Sequence, residues 1–131
     1  LIQLENLRQI NLDYGHYAGH QVLRTWGEAI LSWQSVVNSS EAFKAIASYW
    51  GNGDFVIGVN GAAAREVKEA IAPLLKTFRQ HVFPSVSNDE KNSIENRFQA
   101  QYAVGLAHLS EPVDSLQTLY QRAYAEIDSV L

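Results

Sequence analysis

Apolar residues recur every three or four positions along the first part of the chain, the spacing of one face of an α-helix. The stripe predicts a helix from residue 2 to about residue 37. Asn38-Ser39-Ser40 interrupts it, and Ser39 or Ser40 can cap a short helix that ends at Trp50. The apolar members of the first stripe are Leu4, Leu7, Tyr14, Ala18, Val22, Trp26, Ala29, Trp33, Val36 and Val37.

A turn is predicted at Gly51-Asn52-Gly53-Asp54, because glycine and asparagine adopt the backbone conformations that tight turns require. The following residues 55–59 contain several β-branched side chains and could form a short strand. The pattern leaves strand or helix open there. From Ala62 onward the spacing is helical, with Pro73 expected to kink the helix or begin a new one and Pro84 to stop it.

A capping box at Ser87-Asn88-Asp89-Glu90 predicts the start of another helix, which would run to residue 109. A last helix is predicted from Leu116 to Val130. The sequence therefore predicts an all-α fold, a compact bundle of four to five helices without a sheet of any size. We expect residues 1–131 to form a single domain, which could be a fragment of a longer protein.

Composition narrows the function classes. The chain has 131 residues, of which 47% are hydrophobic and 18% charged, so it can bury a core. Its net charge of −4 gives no basic field for nucleic acid, and no apolar run is long enough for a membrane span. The absence of cysteine excludes disulfides and thiolate metal ligands. The compartment is not fixed by these features, although a cytoplasmic location is favoured.

Asp13, His16 and His20 have the spacing of a helical metal site, since residues at i and i+4 project from one face. The alternative is a solvated polar face, because these residues lie opposite the apolar stripe. Gly15 and Gly19 lie nearer that stripe, where small residues allow another helix to approach closely or the helix to kink.

Two further histidines follow apolar helical segments. His81 or His108 could bind a haem iron axially if it faced a cavity, or could interact with a helix C-terminus instead. The chain lacks phosphate-loop, dinucleotide, GxSxG and HExxH motifs, so we expect no enzyme.

Residues 76–82 begin a segment that resembles the sensory globins, the globin-coupled sensors and their haem-free relatives. The similarity continues through Asn88-Asp89-Glu90, Arg97 and Ala103-Val104-Gly105-Leu106, and Ala47-Ser48-Tyr49-Trp50 resembles the aromatic pair beside the distal pocket of that family. Gln101 stands where the haem-binding members carry their proximal histidine, so the resemblance implies a haem-free member.

These observations lead to a non-catalytic, helical sensory or regulatory domain that signals through helix packing or dimerisation. The chain is rich in aromatic residues, which suit either an ordinary core or the walls of an apolar pocket. One alternative is an interaction module that binds a partner helix or a second copy. The other is a histidine-based metal or haem protein. The residues expected around a small apolar ligand are Trp50, Phe78, Phe98, Gln101 and Tyr102.

Overall fold

The computed structural model describes residues 1–40, 43–61, 63–84, 97–108 and 115–127. These residues form a mixed α/β fold. The helices are α1 (Leu7–Tyr14), α2 (His16–Ser39), α3 (Ala64–Gln80) and α4 (Leu116–Ala125). The strands are β1 (Ile2–Leu4), β2 (Lys44–Gly51), β3 (Asp54–Asn60), β4 (Phe83–Pro84), β5 (Arg97–Phe98) and β6 (Tyr102–Val104).

An antiparallel sheet with the strand order β2-β3-β1-β6 lies at the centre of the fold. β2 and β3 form a hairpin, and β1 lies between β3 and β6. Ile2 pairs with Phe55 on one side and with Val104 on the other. A separate pair, β4 and β5, aligns Phe83 with Phe98. The strands that enclose β1 therefore come from distant parts of the chain.

The all-α prediction is wrong. The helix expected to end at Trp50 is strand β2, along which Ala45 is buried while its neighbours Lys44 and Ile46 are exposed. The helix expected through Phe98 and Tyr102 is replaced by β5 and β6. Its capping box at residues 87–90 lies outside the described residues. Pairing of β6 with β1, about a hundred residues earlier, and of β5 with β4 overrides the helical spacing of these apolar residues.

The helix predicted from residue 2 is also wrong in its first part. Residues 2–4 are a strand, and Gly15, with a φ of 92°, separates α1 from α2. The turn at residues 51–54, the strand alternative for residues 55–59 and the helices α3 and α4 are confirmed. Pro73 lies inside α3. No helix in the described part of the chain combines the length and apolarity needed to cross a bilayer.

The core is built around Trp26 of α2, which is fully buried. Its indole stacks on Phe78 of α3 with a centroid distance of 4.3 Å, and the ring of Tyr102 meets it edge-on at 5.8 Å. Ile2 and Phe55 are buried members of the same core. Because side chains alternate along a strand, their neighbours Gln3 and Asp54 point to the opposite face of the sheet, where Asp54 contacts α4.

Candidate functional site

The turn between β2 and β3 is fixed against β1. Gly51, Asn52 and Gly53 all have positive φ, at 90°, 54° and 83°. The amide of Leu4 donates to the carbonyl of Gly53 at 2.8 Å, and the amide of Gly53 donates to the Tyr49 hydroxyl at 2.9 Å. A Cβ at position 53 would lie 2.9 Å from the Leu4 carbonyl oxygen. Only glycine therefore fits this turn at position 53 without a shift of the backbone.

Asp54, directly after the turn, is a buried carboxylate with 9% of its surface exposed. Its Oδ1 accepts a hydrogen bond from Gln3 Nε2 at 3.1 Å, and its Oδ2 accepts one from the Tyr120 hydroxyl at 2.7 Å. The bond to Asp54 favours the neutral phenol and raises the pKa of Tyr120 above its ordinary value. The Tyr120 ring also stacks on Trp50, with centroids 5.1 Å apart. Asp54 thus joins β1, β3 and α4.

A groove of about 530 Å³ lies beside the turn, between the end of β1, helix α1 and Asn52. Its volume is within the range of small-molecule sites, roughly 300–1,000 Å³. Its lining mixes apolar side chains with a carboxylate, a guanidinium, two amides and an imidazole. The lining residues are Leu4, Glu5, Leu7, Arg8, Asn11, Leu12, His16 and Asn52.

Helix α1 is positioned by contacts just before it and along its length. Asn6, just before it, accepts a hydrogen bond from the Gln101 amide at 2.8 Å and donates one to the Gln99 carbonyl at 3.2 Å. Through Leu7 and Asn11, α1 packs closely on Gly19 of α2. The Oδ1 atom of Asn11 is buried there, without a hydrogen-bond partner among the described residues. In the sequence, only Gly19 indicated this close approach of the two helices. No sequence pattern marked Gln3, Asn11 or Asp54 as candidate site residues.

The aromatic residues predicted around an apolar ligand do not share one place. Phe78 and Tyr102 meet in the Trp26 core, with their centroids 6.1 Å apart. Phe98 stacks instead on Tyr14 and Phe83, and Trp50 lies on Tyr120 at the hairpin. The side chain of Gln101 is exposed. The ligand role of these five residues stays a prediction.

The predicted metal residues are divided between two helices. Asp13 lies on α1, where its Oδ1 accepts a hydrogen bond from Gln9 Nε2 at 2.8 Å, and His16 and His20 lie on α2. All three are exposed. Within the described ranges, no three His, Cys, Asp or Glu side chains are grouped so that they could hold a metal ion. A metal site at these residues stays a prediction, without support from the geometry.

The two haem candidates lie in different surroundings. His81 follows α3, half-buried against the ring of Phe83 at a centroid distance of 4.3 Å. His108 is exposed and lines a second cavity of about 690 Å³, which lies between β3, α3 and α4. Haem ligation by either histidine stays a prediction.

The described residues form a mixed α/β domain, a four-stranded antiparallel sheet packed against helices, with a groove of mixed polar and apolar lining beside the β2–β3 turn. The sequence model of the GGDEF family, described as "Diguanylate cyclase, GGDEF domain", matches residues 1–129. The chain belongs to this family. Among curated proteins, no match to the chain is found.

The family overturns three expectations from the sequence. The resemblance to sensory globins is wrong, because the family match covers nearly the whole chain and the fold contains a sheet. The non-catalytic helical sensor and its two alternatives are likewise unsupported. The expectation that the chain is not an enzyme was drawn from missing motifs, whereas the family is defined by a cyclase domain.

The turn departs from the five letters of the family name. The name spells Gly-Gly-Asp-Glu-Phe, whereas the β2–β3 hairpin reads Gly51-Asn52-Gly53-Asp54-Phe55, and we compare the two letter by letter. The first glycine and the phenylalanine are kept, and aspartate replaces glutamate. The aspartate of the name is replaced by Gly53, so one of the two adjacent acids is missing.

A nucleotide cyclase transfers a nucleotidyl group at the α-phosphate of a nucleoside triphosphate. Enzymes of this kind place divalent cations on the phosphate oxygens. Mg²⁺ is held by one or more carboxylates together with substrate oxygens and water. Here both oxygens of Asp54 are already bonded, to Gln3 and Tyr120. The neighbours of Asp54 in the described structure therefore do not fit a divalent cation, and we derive no catalytic step through one.

Proposed function

We propose that this chain acts in cyclic diguanylate signalling as a guanine-nucleotide-binding domain of the diguanylate cyclase type. The observation that carries the proposal is the groove between α1 and the β2–β3 turn, in a chain that matches the family over residues 1–129. Its volume and mixed polar lining suit one nucleotide. The family match over residues 1–129 supplies the class of ligand.

The charged lining of the groove suits the two ends of a guanine nucleotide. Arg8 supplies a guanidinium, which pairs with phosphate oxygens through two parallel hydrogen bonds. Guanine carries an N–H and an NH₂ group side by side, and adenine does not. Glu5 and Asn11 offer the carboxylate and amide oxygens that can accept from such donors. The groove should therefore prefer guanine to adenine nucleotides.

Two copies of the chain would bring two nucleotides together. A cyclic diguanylate has two guanylate units joined by two phosphodiester bonds, and one groove accommodates one unit. A symmetric pair of chains with facing grooves would align the 3′-hydroxyl of each nucleotide with the α-phosphate of the other. A homodimer thus belongs to this proposal.

The test is isothermal titration calorimetry of the chain with GTP, ATP and cyclic diguanylate, each with and without Mg²⁺. We expect GTP or cyclic diguanylate to bind at least tenfold tighter than ATP. Arg8→Ala should weaken binding roughly ten- to a hundredfold, because it removes a charge-assisted hydrogen bond. Arg65→Ala is the matched control, since Arg65 is an exposed helical arginine outside the groove.

If neither GTP nor cyclic diguanylate binds tighter than ATP, or if Arg8→Ala and Arg65→Ala cause equal losses, the proposed site is refuted. If no guanine nucleotide binds, the proposed function itself is wrong.

A further inference from the structure

We propose that Gln3 and Tyr120 take the place of a divalent cation at Asp54, so that this face of the hairpin works without a bound metal ion. The three side chains form a closed polar cluster, which we call the Asp54 clamp. The clamp would hold β1, β3 and α4 together with hydrogen bonds, in a position where a cation would otherwise bridge carboxylates.

The geometry of the clamp is close to that of a metal site. Gln3 and Asp54 are direct partners in the β1–β3 register, so their side chains lie on the same face. Gln3 Nε2 and Asp54 Oδ1 are 3.1 Å apart. Two neighbouring oxygens on an octahedral Mg²⁺, each about 2.0–2.1 Å from it, are separated by about 3 Å. The distance between the Gln3 and Asp54 atoms would therefore suit two ligands of one Mg²⁺. This place differs from a metal site in that position 3 carries an amide instead of a carboxylate.

An amide nitrogen at this place opposes a cation. The Gln3 NH₂ group donates to Asp54, and its nitrogen has no free lone pair for a metal; the side chain could offer at most a neutral carbonyl oxygen, whereas a carboxylate would add a negative charge. The same holds on the other side, where the Tyr120 phenol donates to Oδ2. Stacking of Tyr120 on Trp50 keeps the hydroxyl in place. A cation would have to displace at least one of these donors.

The described structure offers no larger set of metal ligands around Asp54. The residue before Asp54 is Gly53, which has no ligand atom in a side chain, and no group of three potential metal ligands occurs in the parts of the chain that are described. Asp54 is a single carboxylate with both oxygens satisfied. Its burial is offset by the hydrogen bonds from Gln3 and Tyr120.

The experiment measures Mn²⁺ binding to the whole chain, without nucleotide, from the loss of the free-ion signal in electron paramagnetic resonance. The variants are Gln3→Glu, which keeps the shape of the side chain and adds a carboxylate, Tyr120→Phe, which frees Oδ2, and their combination. Gln9→Glu is the matched control, because Gln9 also donates to an aspartate, but at an exposed place.

We expect no saturable site in the unmodified chain or in Gln9→Glu. The combined variant should bind one Mn²⁺ per chain at least tenfold tighter than the unmodified chain. Saturable binding of one Mn²⁺ by the unmodified chain would overturn the inference, as would equal affinities of the unmodified chain and the combined variant.

Thermal unfolding gives a second readout, because two adjacent carboxylates repel each other. Gln3→Glu should melt lower than the unmodified chain without metal and should recover its Tm when Mn²⁺ is added, whereas the unmodified chain should not respond. A Gln3→Glu variant whose stability Mn²⁺ does not raise would also overturn the inference. These outcomes involve no nucleotide, so they are separate from failure of the proposed function.

Discussion

Gly19 of α2 lies directly against the side chain of Asn11 of α1. A Cβ on Gly19 would overlap Asn11 Oδ1 and would lie 3.2 Å from Leu7 Cδ1. Both Leu7 and Asn11 line the groove beside the hairpin. The missing side chain of Gly19 therefore sets how closely α1 approaches α2 and, with it, the shape of the groove.

Replacing this glycine should destabilise the fold. For Gly19→Ala we expect a loss of about 1–3 kcal/mol in the free energy of unfolding, because the added methyl group overpacks the α1–α2 contact. Gly27→Ala is the control, since a Cβ at Gly27 of the same helix meets nothing within 4 Å. That change should stabilise the chain by roughly 0.4–1 kcal/mol. Urea unfolding of both variants checks the difference, and equal effects would refute the contact.

The two glycines of the β2–β3 turn provide a second matched pair of variants. Gly51 and Gly53 both have positive φ, but only Gly53 lies against Leu4 of β1. Gly51→Ala should cost about 1–2 kcal/mol through backbone strain alone. Gly53→Ala should cost more, because its methyl group also displaces the β1 backbone. Chemical denaturation measures both losses, and a Gly53→Ala variant no less stable than Gly51→Ala would contradict the close approach.

Loss of the Tyr120 hydroxyl should weaken the attachment of α4 to the sheet. We expect Tyr120→Phe to lower the free energy of unfolding by about 1–2 kcal/mol, since Asp54 loses one of its two donors. Thermal and urea unfolding measure the change. Tyr124→Phe, on an exposed tyrosine of the same helix, should change stability by less than about 0.5 kcal/mol.

The same hydrogen bond predicts a pH dependence. The pKa of Tyr120 in the folded chain is raised above its ordinary value, mainly by the bond to Asp54. The contribution of this tyrosine to stability is therefore fully present below its unfolded pKa of about 10 and is lost as the pH rises through the folded pKa. The stability difference between the unmodified chain and Tyr120→Phe should be constant up to about pH 9 and then shrink. A difference that grows at high pH would contradict the assignment.

We expect the free energy of unfolding to depend strongly on Phe78, which packs in the core around Trp26. Phe78→Ala should cost about 3–5 kcal/mol, because it removes a fully buried ring that stacks on the indole. Tyr17→Ala, at an aromatic residue that is 61% exposed, should stay within about 0.5 kcal/mol. Trp fluorescence during denaturant unfolding reports both values. A small effect at Phe78 would show that the core is centred elsewhere.

Local pattern was sufficient where neighbouring residues decide the structure. The glycines around Asn52 predicted the turn, the helical spacing from Val67 to Phe78 predicted α3, and Ser115 caps α4 with a hydrogen bond from the Thr118 amide. Gly19 predicted a close helix contact, and the structure confirms one. These features depend on backbone conformation and on contacts within one or two turns of chain.

The sheet could not be predicted from local sequence pattern. β1 has three residues and β6 has three, too few for a periodic pattern, and each becomes a strand only because the other lies beside it. Phe98 and Tyr102 are spaced as on a helix, yet they belong to different strands. A period of four fits both a helical face and alternating strand positions.

The sequence by itself determined the turn, the long helices and a core rich in aromatic residues, because these follow from local backbone preference and hydrophobic spacing. Only the tertiary structure decided that Gln3 meets Asp54 and that Tyr120 reaches the same carboxylate. Those residues are 51 and 66 positions apart along the chain. Hydrogen bonds over such separations depend on strand register and helix docking, which are properties of the whole fold.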